Sequence, residues 1–134
     1  MKLPSSSPAA LRQDRLEQLR RHWAAALPLR VSYPAIQQLR LELKFEGVTT
    51  NSPAAQSHVL HPPARAFFEF PCPHADCDGQ FDLTDAVSVA LATRVRQAAG
   101  KLKCPGQRPD QRGTRTACDL HLNYVLAVTY QRGD

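Results

Sequence analysis

Four cysteines are the residues of this 134-residue chain that are best suited to chemistry. Cys72 and Cys77 flank one turn rich in proline, aspartate and glycine, and Cys104 and Cys118 flank a second turn-rich segment. A structural zinc ion needs four thiolate or imidazole ligands in a tetrahedron, and two turns commonly supply them as two pairs. We therefore expect all four thiolates to bind one zinc ion that holds the two turns together.

The cysteine spacing leaves other interpretations open. The pairs are C-x4-C and C-x13-C, not the two-residue spacing of common zinc sites, so two disulfides, free buried thiols, or a redox or catalytic cysteine compete with zinc. His74 inside the first turn and His121 after Cys118 are alternative fourth ligands, because imidazole also binds zinc. We favour four thiolates, since four cysteines are present and His121 has the opposite strand parity from Cys118.

Recognisable catalytic motifs do not accompany the cysteines. The sequence contains no H-E-x-x-H, P-loop, G-x-G-x-x-G, G-x-S-x-G or C-x-x-C motif. The zinc deaminase signature is incomplete, because the second cysteine spacing after Pro71-Cys72 is wrong and no H-x-E occurs. We expect a structural metal in a protein that is not an enzyme. The alternative is a cysteine-based redox or thiol enzyme without structural metal.

Length and composition predict one domain over residues 1–134 with a thin apolar core. Leu, Val, Phe and Ile make up only about a fifth of the chain, so a metal, a disulfide or a partner would help to stabilise it. No run approaches the roughly 20 apolar residues of a membrane span, and the N-terminus lacks the apolar segment of a secretory signal. We expect a cytoplasmic protein without membrane contact, where cysteines bind metal more often than they form disulfides.

The net charge of +5 is unevenly distributed along the chain. Residues 94–115 hold a basic cluster with Asp110 as their only acidic residue, and its members are Arg94, Arg96, Lys101, Lys103, Arg108, Arg112 and Arg115. Such a cluster is typical of nucleic-acid binding, but the aromatic residues that stack on single strands are not interleaved with it. A solvated basic surface is the plainer interpretation. We favour a protein partner, bound by the N-terminal helix or a free sheet edge, over nucleic acid.

An N-terminal amphipathic helix is predicted over residues 8–27. Ser7 can cap it and Pro8 suits its first position, and Pro28 ends it. Its predicted apolar face comprises Leu16, Leu19, Trp23, Ala26 and Leu27, with Trp23 as a packing anchor.

Hydrophobic periodicity after the helix predicts an α+β fold in which an antiparallel sheet of β-hairpins is joined by a helix. Residues 39–47 alternate as a half-buried strand, and residues 48–63, with His58 and His61, are predicted to form a loop. The remaining predictions are strands at 64–71 and 79–83, a helix from about 84 to a stop at Gly100, a short strand at 101–104, a loop at 105–117 and a strand at 118–130.

The run FPCP…C.GQFDLTDAV followed by LKCPGQR…C.L.L.Y.L.VTY resembles small uncharacterised bacterial zinc-ribbon-like proteins, and more loosely zinc-ribbon domains in general. The resemblance covers about residues 64–130. It implies a ββαββ core of short antiparallel strands around a zinc site at Cys72, Cys77, Cys104 and Cys118. It implies no activity.

Overall fold

A computed structural model describes residues 8–47, 54–109 and 112–132. Within those residues the helices are α1 (Pro8–Ala25), α2 (Leu29–Ser32) and α3 (Thr84–Ala92). The strands are β1 (Ile36–Glu46), β2 (Ala55–Leu60), β3 (Glu69–Pro71), β4 (Gln80–Asp82), β5 (Gln97–Lys103), β6 (Gln107–Pro109), β7 (Arg115–Ala117) and β8 (His121–Tyr130).

A four-stranded antiparallel sheet in the order β2-β1-β8-β5 is the centre of the fold. Its two long strands, β1 and β8, pair over almost their whole length, from Ile36 opposite Tyr130 to Glu46 opposite His121. Two small hairpins, β3–β4 and β6–β7, lie outside this sheet. The fold is therefore mixed α+β with an antiparallel sheet, as the sequence predicts, but β1 and β2 contribute half of the sheet and lie outside the predicted 64–130 core.

One face of the sheet is apolar and buried. The alternation predicted for β1 is confirmed, because Leu39, Leu41, Leu43 and Phe45 are buried while the residues between them are exposed. The same face of β8 buries Leu122, Leu126 and Val128 and half-buries the two tyrosines between and after them. Alternate residues of a strand point to opposite faces, so these side chains meet in one core.

Strand β2 corrects the predicted loop at 48–63. Residues 48–53 lie outside the described residues, but Ala55–Leu60 pairs with β1 from Lys44 opposite Ala55 to Leu39 opposite Leu60. The strand lies at the sheet edge and alternates between exposed and half-buried residues. Such an edge position tolerates small and polar residues, which gave the sequence the composition of a loop. His58 is consequently half-buried, with its ring 4.9 Å from the ring of Phe70, and is not an exposed loop histidine.

Helix α3 ends at Ala92, well before the stop predicted at Gly100. Arg94 has a φ of 55°, and the amides of Arg94 and Val95 donate to the carbonyls of Leu91 and Ala90, which is a Schellman cap. This left-handed position costs a residue other than glycine about 1–2 kcal/mol. The alanine-rich segment beyond it is strand β5, because pairing with β8 overrides its local helix preference.

The other boundaries differ less from the prediction. The first hairpin is confirmed, but β3 begins at Glu69 and not at residue 64. The segment 105–117, predicted as a loop, contains the β6–β7 hairpin, with residues 110–111 outside the described residues. The last strand begins at His121 and not at Cys118, because the chain turns at the cysteine before it joins the sheet.

Helix α1 begins at Pro8, as predicted, but it ends at Ala25 and not at residue 27, and the predicted apolar face is only partly buried. Leu19 is buried and Leu16 is half-buried, whereas Trp23 is 48% exposed and Leu27 is 57% exposed. The prediction of Trp23 as a packing anchor is wrong, since its ring instead lies 4.5 Å from the guanidinium of Arg65. Ser7, the predicted cap, lies outside the described residues. Within the described residues, no helix is both long and apolar enough to cross a membrane.

Leu41 tests whether the shared face of β1 and β8 carries the stability of the fold. Leu41 is fully buried in a central strand, so Leu41→Ala should lower the free energy of unfolding by about 2–5 kcal/mol. Arg40→Ala, on the exposed face of the same strand, should change it by less than about 0.5 kcal/mol. Urea denaturation measures both, and equal effects of the two substitutions would contradict the assigned faces.

Candidate metal centre

The four cysteines lie at the ends of short strands outside the main sheet or at its margin. Cys72 directly follows β3, and Cys77 lies three residues before the start of β4. Cys104 directly follows β5, and Cys118 directly follows β7. All four side chains are buried, so the two turns bring their cysteines together in the interior of the protein.

The four sulfur atoms form one compact cluster. Their Sγ atoms all lie within 4.8 Å of one another. Cys77 and Cys104 are 3.6 Å apart, and Cys72 and Cys118 are 4.0 Å apart. A tetrahedral ion with metal–sulfur bonds of about 2.3 Å requires sulfur atoms about 3.8 Å apart. The cluster has that size, and its four cysteines are free thiols with no disulfide between them.

The two halves of the site have the same local structure. The amide of Gly79 donates to Cys77 Sγ at 3.3 Å, and the amide of Gly106 donates to Cys104 Sγ at 3.4 Å. Each glycine carbonyl accepts a hydrogen bond, at 3.0 Å, from the amide of the other cysteine of its half, Cys72 or Cys118. Amide donors near sulfur stabilise negative charge on it. In each half, therefore, the glycine amide donates to the sulfur of one cysteine, and the glycine carbonyl accepts a hydrogen bond from the backbone amide of the other cysteine.

Gly79 and Gly106 lie back to back behind the sulfurs. A Cβ on Gly79 would lie 2.4 Å from Cys104 Sγ, and a Cβ on Gly106 would lie 2.4 Å from the backbone nitrogen of Gly79. Neither distance is compatible with a side chain, so glycine is required here by the close approach of two backbones. The sequence signal for this role is the repeated Cys-x-Gly, at residues 77–79 and 104–106.

Helix α1 is bound to the first cysteine turn through two arginines. One terminal nitrogen of Arg12 donates to the backbone carbonyls of Cys72, His74 and Cys77 at 2.7, 2.9 and 3.2 Å. Arg15 donates to the carbonyl of Asp78 at 3.0 Å. Sequence reasoning does not identify these contacts, because Arg12 lies 60 residues before Cys72 and no local pattern marks it.

Ion pairs join the two cysteine turns outside the sulfur cluster. Arg108 Nε lies 2.7 Å from an Asp76 carboxylate oxygen, and Arg115 lies 3.0 Å from Asp78. Asp78 also accepts a hydrogen bond from the amide of Gln107 at 2.9 Å. The hydrogen bond to Asp76 raises the pKa of Arg108, and the nearby Cys118 and Cys72 add to that effect. Arg108 and Arg115 therefore help to assemble the candidate metal centre.

The rest of the predicted basic cluster is dispersed. Lys101 lies on the exposed face of β5, 3.5 Å from Glu46, and Lys103 is exposed on the same strand. Arg94 and Arg96 lie at the other end of β5, where they line a cavity together with Arg132. Arg112 is exposed in the turn between β6 and β7. The sequence cluster thus does not form one continuous surface with the metal centre at its middle.

Among the described residues, the cluster consists of the four cysteines, and the two candidate histidine ligands lie outside it. His74 is fully buried, and burial lowers the pKa of its ring, which favours the neutral form. Neither of its ring nitrogens has a hydrogen-bond partner among the described residues. His121 is half-buried and pairs across the sheet with Glu46 and Lys103.

Hydrogen bonds between the four thiols lower the pKa of one cysteine and raise that of another. Hydrogen bonds from the Cys104 and Cys72 thiols lower the pKa of Cys77, which favours its thiolate form. Hydrogen bonds to Cys104 and Cys77 raise the pKa of Cys72, and burial raises that of Cys118. Without a cation, one buried thiolate is stabilised at the expense of the others. A divalent ion would be needed to hold all four as thiolates.

No protein-family model matches this chain, and neither a curated protein nor a solved structure shows significant similarity to it. Its class is accordingly defined by its own structure. The chain is a mixed α+β protein in which four buried cysteines form a cluster that could bind a metal ion.

Gly79 and Gly106 provide a test of the site that leaves its ligands unchanged. Gly79→Ala and Gly106→Ala should each reduce metal affinity by at least about tenfold, because the added methyl group displaces Cys104 Sγ or the Gly79 backbone. Competition with a chromophoric chelator measures this affinity.

Gly113→Ala is the matched control for these two substitutions. A methyl group added at Gly113 would have no atom within 4 Å, so only the positive φ of 82° adds strain. This variant should bind metal as the unaltered protein does. Metal binding that is unchanged in all three variants would contradict the close packing of the two turns.

Arg12 provides a test of the attachment of α1. Arg12→Ala should destabilise the metal-loaded protein by about 2 kcal/mol, because three carbonyls lose a charged donor. Hydrogen exchange should show faster exchange of the α1 amides. Arg20→Ala removes an exposed arginine of the same helix and should leave both quantities nearly unchanged. Equal exchange in the two variants would show that Arg12 does not hold the helix.

Proposed function

We propose that the protein is a zinc-binding protein whose zinc is structural, held by Cys72, Cys77, Cys104 and Cys118. The observation that carries this proposal is the cluster of four buried Sγ atoms, all within 4.8 Å of one another. Four sulfur donors in a tetrahedron are typical of zinc or of a mononuclear iron site. We propose zinc of these two, because closed sites of four cysteines are usual structural zinc sites.

The composition of the site supports a structural role over a catalytic one. A catalytic zinc ion keeps one coordination position for water or substrate, and four cysteine ligands leave none. The two carboxylates that flank Cys77, Asp76 and Asp78, are engaged by Arg108 and Arg115, so neither is placed as a general base. Burial of all four thiols also opposes the alternative of a redox or thiol enzyme, since reactive cysteines are partly exposed. We therefore propose that the protein is not an enzyme.

A structural zinc ion would be a large term in the stability of this domain. Zinc bound to sites of this kind contributes an apparent free energy of about 10–16 kcal/mol, compared with about 5–15 kcal/mol for the total stability of an ordinary domain. The four cysteines belong to the same buried cluster as the apolar face of the sheet, so loss of the metal would also disturb that core. We expect the metal to decide whether the part of the chain around these turns folds.

The partner that we propose is another protein, bound in the cytoplasm at the edge of the sheet. Among the described residues, no strand pairs with the outer side of β5. An apolar groove of about 570 Å³ lies between this edge and α3, and its lining includes Val89, which is 63% exposed. An unpaired edge beside an apolar groove is suited to an added strand. Nucleic acid is less favoured, because ion pairs occupy Arg108 and Arg115.

Metal analysis of the purified protein tests the zinc proposal. We expect about one equivalent of zinc, with X-ray absorption showing four sulfur neighbours at about 2.3 Å. Removal of the metal by a strong chelator should unfold the two cysteine turns, which circular dichroism and hydrogen exchange would detect. Cys77→Ser should lose the metal, whereas His121→Ala should retain it, because His121 lies outside the sulfur cluster.

Two results would contradict this function. One is a folded, metal-free protein in which mass spectrometry finds two native disulfides. The other is rapid alkylation of a cysteine in the metal-loaded protein, since thiolates that are bound to zinc and buried should resist it.

A further inference from the structure

A surface cavity of about 470 Å³ lies at the end of β8, far in sequence from the first cysteine turn. Three arginines line it, Arg94, Arg96 and Arg132, together with Tyr130 and the backbone segment around it. None of the described residues that line it is acidic. The cavity is large enough for a small organic molecule and carries three positive charges.

Hydrogen bonds hold the backbone at Arg96 and directly before Arg132. The amide of Val128 donates to the Arg96 carbonyl at 2.8 Å, which holds Arg96 against β8. Gln131, next to Arg132, donates from its amide to the Ala35 carbonyl at 2.8 Å and from its side chain to the Ile36 carbonyl at 3.1 Å. Because the backbone is already held in place, less conformational entropy would be lost when the arginines bind an anion.

Arg94 occupies a backbone position that normally favours glycine. It is the only non-glycine residue with positive φ in the described part of the chain. Its guanidinium lies 4.6 Å from the centre of the Tyr130 ring, and the Tyr130 hydroxyl donates to the Val95 carbonyl at 2.6 Å. Strained residues of this kind are concentrated at functional sites. An arginine on the last turn of α3 would complement the helix dipole without this strain.

We propose that this cavity binds the phosphate group of an organic phosphate. Guanidinium groups bind phosphate oxygens in pairs of parallel hydrogen bonds, and three arginines match a ligand with two or more negative charges better than a single carboxylate. The phosphate group belongs either to a free small molecule or to a nucleic-acid strand. This proposal is independent of the metal centre, because no residue of the sulfur cluster lines the cavity.

The test is an NMR titration of the metal-loaded, full-length protein at low salt, with three probes. The probes are inorganic pyrophosphate, adenosine 5′-monophosphate and an oligothymidylate of roughly ten nucleotides. At least one probe should bind saturably and shift the amide signals of residues 94–96 and 130–132. If the oligonucleotide binds most tightly and its affinity falls steeply with salt, the source is nucleic acid; otherwise it is a small phosphate.

Substitutions identify the groups that bind. Arg94→Gly, Arg96→Gln and Arg132→Gln should each weaken binding by about tenfold, because each removes a charged donor. Arg94→Gly should fold at least as well as the unaltered protein, since glycine suits the Schellman position. Arg132→Gln changes an exposed residue near the chain end, so it keeps the test valid if another variant misfolds.

Lys44→Gln is the matched control, because it removes one exposed charge from the opposite end of β1, where Lys44 pairs with Asn123. This variant should bind the probes as the unaltered protein does. The proposal is overturned if no probe binds saturably, or if Lys44→Gln weakens binding as much as the cavity variants do. If the oligonucleotide binds most tightly, the result would support phosphate binding in the cavity. It would contradict the proposed function in one respect, because the partner would then be nucleic acid and not a protein.

Discussion

The contact of four buried sulfur atoms is the interaction on which the two cysteine turns depend. Buried thiolates repel one another, and the cluster by itself stabilises Cys77 as thiolate while the pKa of Cys72 rises. A bound dication would remove that conflict. The surroundings favour negative charge, because two glycine amides point at sulfur and Arg108 lies close to the cluster. The turns are thus organised for four sulfur ligands around a cation.

The site and the sheet form one structural unit because β5 and β8 belong to both. β5 ends at Lys103, directly before Cys104, and β8 begins three residues after Cys118. Lys103 and His121 therefore form the last residue pair between β5 and β8, and this pair lies next to the cysteine cluster. A metal ion that binds Cys104 and Cys118 would also fix the register in which β5 pairs with β8. We expect the sheet edge and the site to unfold together for this reason.

The sequence predicts those features that depend on local pattern. The strict alternation in β1 and β8 identifies both strands and their buried faces, and the paired cysteines on two turns identify the candidate site. The edge strand β2 is not predictable in this way. Its small polar residues have little preference for a strand, and the segment is extended because it pairs with β1. The end of α3 is missed for a similar reason, since the alanines after Arg94 favour a helix until β8 offers pairing. Arg12 is missed because its partners are distant carbonyls.

Charge in the sequence is a poor guide to charge on the surface of this protein. The seven basic residues between 94 and 115 are close together in sequence, but β5 separates them by its length. At one end, Arg108 and Arg115 are paired with aspartates of the other cysteine turn, so they stabilise the fold and are poorly placed for an external anion. At the other end, Arg94 and Arg96 meet Arg132, whose isolated position in the sequence gives no signal. The electrostatic feature with room for a ligand is therefore formed by tertiary structure, from two members of the sequence cluster and one residue outside it.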